Sequence, residues 1–127
     1  YAERMMVESG YGDSPEMRLM VGKWHLRSVT NTVLDYSVHV LGMKQPEALD
    51  LLQRQAFQTE QEAREKWRRV QLTAVQLTSY FSGYSELIAL REQLQARPGF
   101  ALKAFHEQFL SYGSAPVRLI AAEMLGR

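Results

Sequence analysis

Apolar residues recur along this chain at three- and four-residue intervals, and no segment keeps the strict alternation of a strand. The pattern predicts an all-α domain of about six helices. A first helix runs from Tyr1 to about Ser9 and is capped by Gly10, with Tyr11-Gly12-Asp13 as a loop. Ser14 then supplies a hydroxyl cap, Pro15 the first helical position and Glu16 an acid in the first turn, so a long helix is expected from Pro15 to Leu41, stopping at Gly42. Pro46 opens a helix to about Phe57, with Leu49, Leu52 and Ala56 at helical spacing. Thr59 and Glu62 form a capping box that starts a second long helix, about 59 to 96, closed by Pro98-Gly99. Gly83 inside it marks a close contact or a bend. Helices over Phe100 to Tyr112 and Pro116 to Leu125 complete the chain. The two long helices, 15–41 and 59–96, are expected to form the core of a single domain over 1–127.

Two polar stripes interrupt the apolar pattern. At about 100° per residue, Val70, Leu77, Phe81 and Ile88 fall on one line of the second long helix, and Leu72, Val75 and Leu90 on another. Between them lie Arg69, Thr73, Gln76, Tyr80 and Gly83, with Tyr84 alongside. A polar line flanked by apolar lines is expected in a cleft or in a polar core, where each group needs a partner. On the first long helix Asn31, Asp35 and His39 share one face, and Asp35 could orient His39 by a hydrogen bond. Each stripe reads either as an internal hydrogen-bond network or as part of a site. His25 and His106 have no spaced partner and are expected to pack; Trp24 and Trp67 are expected as core anchors, and Met5, Met6, Met17 and Met20 as core filling.

Composition narrows the function classes. The 127 residues are 46% hydrophobic and 23% charged, as in a globular domain. The net charge of +1 gives no electrostatic case for nucleic acid or an anionic membrane. The densest basic cluster, Lys66, Arg68 and Arg69, lies beside Glu60, Glu62 and Glu65 and reads as a salt-bridged helix face. With no cysteine, disulfides and cysteine-based chemistry are excluded. No apolar run approaches the roughly 20 residues of a membrane span. There is no Gly-rich phosphate loop, Gly-x-Ser-x-Gly elbow or His-Glu-x-x-His zinc spacing.

Several segments, taken in order, carry a resemblance. They are Tyr1-Ala2-Glu3-Arg4-Met5-Met6-Val7-Glu8, Gly10-Tyr11, Asp13-Ser14-Pro15, Asp35 to His39, Leu41-Gly42-Met43 and Pro46-Glu47-Ala48. Further on come Arg69, Gln76, Tyr80 and Gly83 at a distinctive spacing, then Phe105-His106-Glu107 and Gly113-Ser114-Ala115-Pro116-Val117. Together they resemble the C-terminal part of the bacterial family called domain of unknown function 885, which looks like a distant relative of the gluzincin zinc metallopeptidases. The resemblance implies an all-helical fold. It also implies a parent peptidase-like hydrolase whose zinc ligands and general base, in His-Glu, Pro-Gly-His-His and Glu-Gly-Trp segments, lie upstream of Tyr1. No metal site is expected in this chain; zinc is expected in the parent only.

By the same resemblance Arg69, Gln76 and Tyr80 match a cleft-wall segment in which Pro-Gly usually precedes the Gln. This chain has Ala74 and Val75 there, and Phe81 where Lys is usual. Loss of the proline predicts a straighter helix. Asp35 and His39 match an Asp-Thr-Gly-x-His segment, with Tyr36 and Ser37 in place of Thr-Gly and Asn31 where Arg is common. The implied roles are Tyr80 and His39 as donors to an oxyanion and Arg69 and Gln76 as holders of substrate, with Asp35, Tyr84 and Gly83 in support.

The leading expectation is therefore one helical wall of a substrate cleft, inactive alone, with the upstream part of the same protein as its partner and a peptide-like substrate in the parent. An exposed apolar docking face would follow, able to pair two copies into a homodimer. The alternative is a non-catalytic helical interaction module whose polar stripes satisfy themselves. Binding of nucleic acid through Lys66 to Arg69 is disfavoured by the charge balance. The compartment, cytoplasmic or exported, is set by residues upstream.

Overall fold

The computed structural model describes residues 1–12 and 14–126; Asp13 of the expected loop lies outside the described residues. Among the described residues the fold is all-α: α1 Ala2–Glu8, α2 Pro15–His39, α3 Gln45–Asp50, α4 Glu60–Leu72, α5 Ser79–Gln95, α6 Leu102–Ser111 and α7 Val117–Leu125. A π-helical turn, Leu51–Gln55, continues α3.

The start signals act as the sequence predicts. Ser14 Oγ accepts the Met17 N–H at 3.2 Å, and Pro15 sits in the first turn of α2. Thr59 Oγ1 accepts the Glu62 N–H at 3.3 Å, while Glu62 Oε2 accepts the Thr59 N–H at 2.9 Å.

The chain divides into two compact units, Tyr1–Phe81 and Ser82–Arg127. The first packs Leu34, Ala48, Leu52, Ala63, Val70 and Leu77 into one cluster, flanked by Trp67 and Val38 among others. The second packs Leu90, Phe105, Ile120 and Met124, with Phe100 and Phe109 against them.

Several expectations are corrected. The helix expected over 59–96 is two helices, broken between Leu72 and Ser79. Thr73 is extended at φ −141° and ψ 135°, and Val75 adopts a left-handed φ of 69°. The break is therefore kept without a proline or a glycine. The helix expected over 46–57 leaves the α-form at Leu51, where the Ala56 N–H reaches back to the Leu51 carbonyl at 3.1 Å. Trp24 is no core anchor: it is 54% exposed, with the Arg27 guanidinium 5.0 Å above its ring. Met6, Met17 and Met20 are exposed rather than core filling. A Cβ at Gly83 would meet nothing within 4 Å, so neither a close contact nor the bend explains that glycine.

Candidate functional site

The break between α4 and α5 is held from α2. Asp35 is only 3% exposed. Its Oδ1 accepts the Val75 N–H at 3.1 Å, and its Oδ2 accepts the Thr78 N–H at 3.3 Å and the Thr78 hydroxyl at 3.2 Å. A carboxylate here meets N–H groups that open the first turn before α5, where a helix end favours negative charge. The Thr78 N–H also donates to the Val75 carbonyl at 3.0 Å, closing the turn. Hydrogen bonds to a buried charged acceptor offset the strain of a β-branched residue at positive φ. The apolar spacing predicts helix through weak helix formers, Thr73, Val75 and Thr78, and the contact with Asp35, 40 residues away in the chain, holds the segment open instead.

His39, one turn along α2, is oriented mainly by another group. Its Nε2 lies 2.8 Å from the Val70 carbonyl oxygen and 3.5 Å from Asp35 Oδ1. A carbonyl only accepts, so this contact requires hydrogen on Nε2 and, in the neutral ring, leaves Nδ1 as the acceptor. The expected Asp35–His39 hydrogen bond is thus long, and Asp35 spends its oxygens on the loop instead. Asn31, the third member of that stripe, has its Oδ1 buried without a partner among the described residues.

The second stripe does not lie on one continuous helix. Arg69 is on α4, Thr73 and Gln76 are in the break, and Tyr80, Gly83 and Tyr84 are on α5. The structure still joins two of them: Arg69 Nη2 donates to Gln76 Oε1 at 3.2 Å across the break. Both side chains are exposed, and so is Thr73. Tyr80 stands in the first turn of α5, 60% exposed, with no hydrogen-bond partner among the described residues. Tyr84 is half-buried. The apolar residues beside the break are open as well, Leu72 at 83% and Val75 at 70% exposure. The stripe is therefore a solvent-facing array in this chain, not a polar core.

Sequence patterning missed the residues that make the array: Val75 and Thr78 as the turn, and Asp35 as its clamp. The signal was present in the resemblance, since Ala74-Val75 occupies the place of a Pro-Gly pair. It also missed the Arg27–Glu62 ion pair, 2.6 Å long, which ties α2 to α4. Glu62 is pushed down to about 2, first by the Arg27 hydrogen bond and then by the Thr59 N–H and hydroxyl. His25, expected to pack, is exposed, with its ring 5.8 Å from that of Phe81. His106 lies 5.3 Å from the Phe105 ring, and burial together with the Arg91 charge lowers its pKa. Among the described residues, no three His, Asp or Glu side chains are grouped to hold a metal ion. Among the described residues, no helix is long and apolar enough to cross a membrane.

Fold and array together define an all-helical module that presents a small set of polar side chains at a clamped helix break. The chain belongs to the family described as bacterial protein of unknown function (DUF885), whose model matches residues 1–124. A solved structure from Shewanella oneidensis, described as a "putative lipoprotein of unknown function", is similar to it. Identity is 56% and the TM-score 0.89, over 96% of this chain and 23% of that one. The chain thus spans about a quarter of that relative's length. No curated protein matches it.

Proposed function

We propose that this chain is one helical wall of the substrate cleft of a zinc-dependent, peptidase-like hydrolase, and that the rest of a longer protein supplies the metal site. The observation that carries this reading is the clamped break. A buried carboxylate holds an otherwise helical segment open, and the Arg69–Gln76 pair and the Tyr80 phenol stand exposed around it. A strained, over-determined turn next to exposed polar groups is typical of a site.

The roles follow from chemistry that these side chains can perform. The Tyr80 hydroxyl donates a hydrogen bond to the oxygen that gains charge as an acyl carbon becomes tetrahedral. Arg69 keeps donors beyond the one given to Gln76, so it can hold a carboxylate or a peptide carbonyl while Gln76 fixes its plane. His39 is the second donor or acceptor, with its ring set by Val70. Asp35 acts through the turn that it holds, as a positioning residue; Gly83 and Tyr84 continue the same helix. The exposed Leu72 and Val75 are read as part of the face that the rest of the longer protein covers, and two copies of the isolated chain would pair through such a face.

The same geometry lends weight to the non-catalytic reading, because Asp35 is already satisfied and Arg69 is already paired. Elemental analysis separates the two. About one zinc per mole in a longer protein that includes this chain, and none in the chain alone, is the expected result. No zinc in either would favour an interaction module and assign the polar residues to structure.

A further inference from the structure

The face of α4 that leads to the break carries a charge arrangement that lacks one member. Glu62, Lys66 and Arg69 follow one another at four- and three-residue steps and share that face. A Glu four residues before a Lys is the favoured spacing for an ion pair. Glu62 is nevertheless taken. Its Oε1 binds Arg27 Nη1 at 2.6 Å, and its Oε2 accepts the Thr59 N–H at 2.9 Å and the Thr59 hydroxyl at 3.0 Å. Lys66 makes no hydrogen bond or ion pair among the described residues, although it is half-buried. Arg27 and Arg69 act on it as like charges, and both are held in place, one by Glu62 and the other by Gln76. Lys66 thus feels two guanidinium groups, while the one acid acting on it already holds Arg27 and Thr59. Burial and then the two guanidinium groups push the Lys66 ammonium down from its usual range, with Glu62 pulling the other way.

A half-buried ammonium without an acceptor is costly, and an anion placed on it would recover that cost. We propose that Lys66, flanked by Arg27 and Arg69, binds a carboxylate of a peptide-like ligand. Arg69 and Lys66 would share its two oxygens, while Arg27 stays on Glu62 and contributes charge alone. The choice of a peptide carboxylate rests on the cleft-wall reading; the anion site itself does not. The carboxylate could be a chain terminus or an acidic side chain.

The test follows the Lys66 side-chain resonances of the chain by NMR at constant ionic strength. Three probes are added: N-acetyl-Ala-Ala with a free carboxylate, its C-terminal amide, and N-acetyl-Glu amide. Saturable shifts with the first alone identify a terminus, and with the third also, any carboxylate. In both cases the Lys66 titration should move to higher pH when the probe is bound. Lys66→Met should weaken binding about tenfold or more, the usual worth of one charged hydrogen bond. The same variant should melt no lower than the parent, because it removes a repelled charge. Equal response to acid and amide, a response that follows ionic strength alone, or unchanged affinity in Lys66→Met would overturn the proposal. Carboxylate binding together with catalysis indifferent to Tyr80 would keep this site and remove the cleft-wall reading. Catalysis that depends on Tyr80 without carboxylate binding would do the reverse.

Discussion

Residues 1–81 and residues 82–126 solve the problem of burying helices differently. The first unit encloses the polar side chains Thr30, Asp35, Ser37 and Gln58 beside its apolar cluster, and ties α2 to α4 through Arg27 and Glu62. The second closes over Leu90, Phe105, Ile120 and Met124, with aromatic neighbours; among the described residues its core is apolar, and Arg91 buries one guanidinium nitrogen. Apolar packing is tolerant of shape and supplies most of the stability. A buried carboxylate with three donors fixes one backbone course and penalises others, because each donor left unpaired is costly. The first unit has such a group where its helix breaks, and the candidate site residues Arg69, Gln76, Tyr80 and His39 all belong to that unit. Gly83 and Tyr84 belong to the second unit.

That contrast can be broken or sharpened by substitution. The largest effect is expected in the second unit: Phe105→Ala removes a buried ring and should cost about 3–5 kcal/mol in denaturant unfolding. A loss below about 1 kcal/mol would show that the second cluster is not a core. Asp35→Ala should cost about 2–3 kcal/mol, because it strands the Val75 N–H and the Thr78 hydroxyl and leaves the Thr78 N–H only its turn bond to the Val75 carbonyl. Its signature is local: those two amides should lose hydrogen-exchange protection, while amides of α6 keep theirs. Uniform loss of protection would make Asp35 a general stabiliser rather than a clamp.

Smaller effects test the strain and the charges. Val75→Gly relieves a β-branched residue at a φ of 69° and should stabilise the chain by about 1 kcal/mol in thermal unfolding. Destabilisation would mean that the valine packs in a way its exposure does not indicate. The pH responses of the units should differ in window. Glu62, held near 2 in the fold, contributes stability that is complete above its ordinary value of 4.5 and is lost as pH falls from there. His106, with its pKa lowered below 6.5, favours the neutral ring, so its contribution is complete above 6.5 and is lost as pH falls below that value. Acid should therefore loosen the second unit before the first, as followed by amide resonances of each. Glu62→Gln and His106→Gln should each flatten its own transition and leave the other.

The sequence made some parts of this arrangement legible. The Ser14-Pro15 start of α2, the Thr59–Glu62 box and the all-α class are local chemistry, and local chemistry can be read from spacing. Leu52, Val70, Leu77 and Leu90 also stood on predicted apolar lines, and all are buried. The break at 73–78 was not legible in this chain's own residues, because nothing in Thr73-Ala74-Val75 forbids a helix; only the Pro-Gly place in the resemblance marked it, and its cause sits on α2. Trp24 and the methionines of α1 and α2 show the converse. Their helical spacing suggested a core, but spacing reports a face and not what covers it. The candidate residues were found by type and register, whereas their mode of presentation came from a contact distant in sequence.

The central claim is that the clamped break presents Tyr80 for chemistry. It is tested most directly by the turnover of peptide substrates by a longer protein containing this chain, with and without Tyr80→Phe. The prediction is a fall of about a hundredfold or more, the usual worth of an oxyanion donor, with an unchanged melting temperature. Unchanged turnover with a lowered melting temperature would contradict it and make Tyr80 a structural residue.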